Sequence, residues 1–211
     1  MNKKILSSAL GAAPLATLLA VALAALGGCG PQQPEANMQN LTAAMNAYLA
    51  KKGDLCLGKT RWPIDVPQRE AGTRARNALQ MPVLQRLGLV SASKAMVKDD
   101  KDQEAGEIEV TRYALTEEGR KYFVDREPQG DFCAAHLTLD KVVGWEAPKD
   151  AKAPSEVVVT YTYRIDAAPW TGDAEVQRVF PMVDRVVRGA GTMQLKQGFK
   201  RTDTGWVPAQ V

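Results

Sequence analysis

Few side chains in this 211-residue sequence are of types that do chemistry on their own, and their spacing limits what they can do. There are three cysteines, Cys29, Cys56 and Cys133, and a single histidine, His136. A redox thiol ordinarily belongs to a C-x-x-C pair or sits beside a positive charge that favours the thiolate. "DLCLG" and "DFCAA" offer neither. A metal centre needs several converging ligands, and two distant cysteines with one histidine predict none. The spacings G-x-S-x-G, H-E-x-x-H, glycine-rich phosphate loop and EF-hand are all missing. "RGAGT", Arg188 to Thr192, places its glycines after a helical stretch, a cap-and-turn pattern and not a phosphate cradle. One ligand platform is conceivable: Tyr161, Tyr163 and Arg164 of "YTYR", with His136, on a sheet. The plainer reading of the tyrosines is cross-strand packing. No catalytic residue, cofactor or metal is therefore expected, and the chain is not read as an enzyme.

The start of the chain carries the strongest signal. Lys3 and Lys4 precede an apolar or small stretch from Ile5 to Leu26 that ends in "LGGCG", the pattern of an export signal. The stretch reaches the roughly 20 residues that span a bilayer. Against a permanent span stand Gly11 and Pro14 inside it, the lack of a following positive cluster, and small residues directly before a cysteine. Leu26, Gly27, Gly28 and Cys29 resemble the lipobox of bacterial lipoproteins. The resemblance implies cleavage between Gly28 and Cys29, a diacylglycerol thioether on Cys29 and a fatty acyl chain such as palmitate on its freed amine. Several acyl chains anchor stably where one, at about 0.8 kcal/mol per buried methylene, does not. Gly30 stands where an aspartate would imply inner-membrane retention, so the expected address is the outer membrane, lipid-anchored and facing the periplasm.

With Cys29 given to lipid by that resemblance, Cys56 and Cys133 remain, in an oxidising compartment, and are expected to pair. The bond would close a loop of about 77 residues, for which chain-entropy arithmetic gives roughly 4 kcal/mol. Loss of residues 1–28 removes Lys3 and Lys4 from the 27 basic residues and none of the 24 acidic ones. A mature chain so near neutrality gives no nucleic-acid or anionic-membrane footprint. Its 45% hydrophobic content supports a folded core outside the tether.

The chain divides into a signal peptide at 1–28, a lipidated tether at 29–36, a helical part at 37–127 and a sheet-plus-helix part at 128–211. In the helical part, Met38, Leu41, Met45, Tyr48 and Leu49 recur at helical spacing behind an Asn37 cap, and Gly53 stops them. A connector interrupted by Pro63 and Pro67 follows. Arg74 to Leu87 reads as one helix or two, with Leu79, Val83, Leu84 and Leu87 on one side and Pro82 suited to a second piece. Two strands, "LVSASKAMV" and "EIEVTRYAL", flank an acidic stretch, and Thr116 caps a helical turn, "EEGRKYFV". This order, with "LGLV" and "YALTEEGRKYF", resembles the end of a winged-helix domain. DNA binding by such a domain needs clustered Lys and Arg. Here Arg74, Arg76 and Arg86 are offset by six carboxylates between Lys94 and Glu109, so a reuse of local shape without nucleic acid is expected.

"FCAAHLTLDKVVGWE" and "SEVVVTYTYRIDA" alternate as antiparallel strands. A helix interrupted at Pro181 and a hairpin turning at "TDTG" follow. The predicted fold is α+β: a helical, winged-helix-like part packed with a small antiparallel sheet that a helix covers on one face. The chain resembles uncharacterised small envelope lipoproteins of Gram-negative proteobacteria in "YALTEEGRKYF", "FCAAHLTLDKVVGWEAP", "VTYTYRIDAAPW" and "FPMVDRVVRGAGTMQLKQGF", a family that brings an address and a fold but no activity. The expected function is a membrane-anchored, non-enzymatic binding or assembly module with an envelope protein as partner. The alternative is a periplasmic small-ligand binder or hydrolase working from the second-half sheet.

Overall fold

The structure is a computed structural model that describes residues 34–99, 106–126, 128–148 and 154–209. The signal peptide, Gly28 and Cys29 with most of the tether, and the tip of the acidic hairpin lie outside the described residues. Among the described residues no helix is long and apolar enough to cross a membrane.

Helix α1, Met38–Lys52, begins where the Asn37 side chain accepts from the Asn40 N–H at 2.9 Å and ends on Lys51 and Lys52, cations that suit a helix C-terminus. It buries Leu41, Ala44, Met45 and Leu49, while Met38, expected in the stripe, is 49% exposed. Strand β1, Asp54–Cys56, and strand β2, Ile64–Pro67, are found where a connector was expected. Helix α2, Arg76–Arg86, runs continuously through Pro82 instead of breaking into two, and Leu79 points to solvent. Gly88 at φ 73° then turns the chain out of the helix in a conformation open mainly to glycine.

Strands β3, Val90–Lys98, and β4, Glu107–Leu115, form the expected hairpin in register Val90↔Leu115. Strand β2 pairs with the other side of β4, giving the order β2-β4-β3. Arg112 is held by both carboxylate oxygens of Asp65 across that pair, and Lys94 by Glu109. Two basic residues of the hairpin, Lys94 and Arg112, are thus engaged in internal ion pairs. Thr116 accepts from the Gly119 N–H and caps α3, Glu117–Arg120.

Strand β5, Phe123–Val124, leads into the long strands β6, Asp131–Glu146, and β7, Glu156–Ala167. Helices α4, Ala174–Val179, and α5, Pro181–Arg188, divide at Pro181, and β8, Leu195–Thr202, with β9, Gly205–Pro208, closes the chain as a hairpin. The larger sheet has the order β1-β6-β7-β8-β9, with β5 paired to the start of β6.

The fold is α+β, and all the described residues after Gln33 belong to one compact unit. The parts at 37–127 and 128–211 share a sheet, because β1 and β5, from the first part, hydrogen-bond to β6 in the second. Two further points follow from packing. The helix over the larger sheet is α1: Leu41, Met45 and Leu49 pack with Leu137, Val159, Tyr161, Tyr163 and Phe199. The order expected from the winged-helix resemblance, a helix, a hairpin and a capped helical turn, is present as α2, β3–β4 and α3, while α1 packs on the larger sheet. A second core joins Met81 and Leu84 of α2, Val90 and Tyr113 of the small sheet, Phe132 and Ala134 of β6, and Trp170, Val176 and Phe180. The first residues of β6 are therefore buried on both faces, and only further along does one face reach water.

Candidate functional site

The four expected ligand residues are not brought together. Tyr161 and Tyr163 lie in the core beneath α1, and the Tyr163 hydroxyl donates to the Val186 carbonyl at 2.7 Å. Burial pushes the Tyr161 phenol up to about 12, so it stays neutral at physiological pH. Arg164 projects from the other face of β7, exposed, and meets Asp140 at 3.3 Å. Asp140 also accepts from the Thr162 hydroxyl, and that bond, then Arg164, holds its carboxyl below the usual range. Of the four, His136 lines a cleft among the described residues.

That cleft encloses about 330 Å³ and is lined by Asp54, His136, Asp166, Tyr122, Val124 and Cys133, among others. Three neighbouring strands build it in register, Asp54↔His136 across β1 and β6 and His136↔Asp166 across β6 and β7. Cross-strand partners share a face, so one imidazole stands between two carboxylates. Asp54 Oδ1 is 2.5 Å from His136 Nδ1. Because an ionised carboxylate only accepts hydrogen bonds, Nδ1 carries the proton and Nε2 is left for a ligand. Asp54 Oδ2 is buried without a well-directed hydrogen bond and forms an ion pair with the Arg126 guanidinium, which also donates to the Lys51 carbonyl.

The turn from α1 into β1 sets this geometry. Gly53 N–H donates to Leu49 O and Gly53 O accepts from Leu137 N–H, each at 2.7 Å. A Cβ at Gly53 would fall 2.3 Å from Leu137 O and 2.5 Å from Leu49 O. Only glycine lets α1 end hard against β6, and Asp54 is the next residue.

Cys56 and Cys133 are disulfide-bonded across β1 and β6. A register shift between Leu55 and Cys56 moves Asp54 from opposite Ala135 to opposite His136. The Asp54 carboxylate and both sulfurs lie within 4.8 Å of one another; bonded together, the sulfurs are not metal ligands.

Chemically, the cleft can exchange a proton at His136 and bind a polar group between His136 and Asp166. Its described lining holds no Ser, Thr or free Cys, the hydroxyl and thiol nucleophiles that an adjacent base activates. Asp54, Arg126 and Asp166 were not found by reading the sequence. The clue was the Asp two residues before each paired cysteine, "DLC" and "DFC", since an antiparallel pair through those cysteines must carry Asp54 toward residue 135 or 136. Asp131, the second of these, accepts from the Gly58 and Lys59 N–H groups and braces the loop after β1. No protein family, no curated protein and no solved structure matches this chain.

Proposed function

We propose that the protein is a lipid-anchored envelope lipoprotein, held by Cys29 at the periplasmic face of the outer membrane, and that its folded part is a non-enzymatic binding or assembly module for an envelope partner. The observation that carries this reading is the sequence Leu26-Gly27-Gly28-Cys29 behind a basic start and an apolar run. The disulfide supports it, because such bonds persist in exported proteins and are rare in the cytosol. The test is C29A: labelled fatty acid incorporation and membrane retention should both be lost, and unchanged labelling would overturn the anchor.

The burial of Tyr161 and Tyr163 under α1 favours the assembly module over a binder built on the tyrosine face. A second reading, a small-ligand binder, is favoured by the cleft at His136 alone. Perturbation of the His136 ring signals by a polar small molecule, unchanged by lipidation, would support it.

A further inference from the structure

We propose that the reduced protein binds one soft divalent cation of the zinc class through Cys56, Cys133 and Asp54, and that the disulfide and the metal are alternative occupants of this corner. The proposal does not depend on the lipid anchor. It starts from the placement of three ligand atoms, two sulfurs and a carboxylate oxygen, within 4.8 Å of one another. Ligand atoms on a tetrahedral zinc, about 2.0–2.3 Å from the metal, stand roughly 3.3–3.8 Å apart. The carboxylate has only a small distance to close, and opening the disulfide lets the sulfurs part to that spacing.

Charge and surroundings point the same way. Two cysteine sulfurs as thiolates beside the Asp54 carboxylate would place three negative charges close together, an arrangement a cation relieves. A divalent cation together with Arg126, already paired with Asp54, neutralises all three anions. His136 donates from Nδ1 to Asp54 Oδ1, fixing the carboxylate as an outer partner fixes a metal ligand. The 330 Å³ cleft against Cys133 gives access to the remaining coordination position. The three ligand residues, Asp54, Cys56 and Cys133, all sit on the β1–β6 pair, so their backbone does not wait on a loop.

The steps balance. A dithiol reductant opens the Cys56–Cys133 bond, becoming a disulfide itself and leaving two thiols. The cation then forms bonds to both sulfurs and to Asp54, and two protons leave to solvent. No electron moves in the second step.

The test uses the full chain carrying C29A, in detergent, so that Cys56 and Cys133 are its only cysteines. After reduction with a phosphine, cobalt(II) is titrated in. The expected result is one equivalent bound, with sulfur-to-cobalt charge-transfer absorption and release of two protons per metal. The oxidised protein and a C56S, C133S double variant should show no such band. D54A should weaken binding more than H136Q, and H136Q should weaken it by about 10–100-fold. Bound zinc should slow re-formation of the disulfide. Circular dichroism follows the fold throughout: a reduced chain that unfolds and is not refolded by metal overturns the proposal. Equal cobalt binding by the oxidised protein, charge transfer retained without the cysteines, or an affinity indifferent to D54A would each overturn it as well.

Discussion

Asp54 and His136 face each other across β1 and β6, with Oδ1 2.5 Å from Nδ1, and the Arg126 guanidinium closes the other side of the same carboxylate. The carboxylate chooses the imidazole tautomer. Long-range nitrogen–proton NMR spectra should show neutral His136 protonated on Nδ1, and in D54A the proton should move largely to Nε2. An unchanged tautomer would mean that something else orients the ring. Because the Asp54 side chain is only 10% exposed while its two partners are more than a third exposed, D54A is expected to cost about 1–2 kcal/mol, below the range for fully buried pairs.

The Cys56–Cys133 bond spans 77 residues, a separation for which the loss of chain entropy in the unfolded state predicts about 4 kcal/mol. The C56S, C133S variant should unfold at lower denaturant by that order, with Asp54 and His136 losing their register. A stability unchanged within about 1 kcal/mol would show that β1 is held by α1 and Gly53 without the bond.

Lys59 is a buried amine, 4% exposed, donating to Asn77 Oδ1 at 2.6 Å. Burial, then the charge of Arg76, lowers it from 10.5 to about 8, against a smaller opposing pull from Asp131. Between those two values the unfolded chain holds the proton better than the folded one. Stability therefore rises with pH through this window, and the cost of the buried charge is fully present only below about 8. K59M removes the group. The stability of the variant relative to the natural chain should be about 2 kcal/mol less favourable at pH 10 than at pH 7. A difference flat with pH would show that Lys59 titrates as a solvated amine.

Gly119 lies where a Cβ would come 1.9 Å from Leu89 O, the carbonyl that also accepts from Thr116. G119A should force α3 off the start of the small hairpin and cost about 3 kcal/mol, seen as a fall in Tm of roughly 6–12 °C. A smaller fall would mean that α3 can pivot freely.

How much was legible depends on range along the chain. Capping, turn and periodicity signals act within a few residues. Thus Asn37 and Gly53 bounding α1, Thr116 starting α3, Pro181 dividing α4 from α5 and the turn before Gly205 all agree with the sequence pattern. The exposed Met38 and Leu79 show the limit of that reading: an apolar residue at helical spacing is buried only if another element arrives to cover it. Pro82 shows another, since packing of Met81, Val83 and Leu84 into a core holds α2 continuous where local preference would divide it.

The sequence by itself determined the basic and apolar start ending at Cys29, the two further cysteines available to one another, the near balance of charge, and the α+β order of the elements, because each is a property of composition or of neighbouring residues. Only the tertiary structure decided that α1 covers the larger sheet, that both tyrosines fall inside while Arg164 falls outside, and that Asp54 stands beside His136. That last meeting joins positions 82 residues apart and turns on a one-residue shift of register in β1. Register is set by which side chains can be buried together across strands, and the local patterns "DLC" and "DFC" bring Asp54 only to within one residue of it.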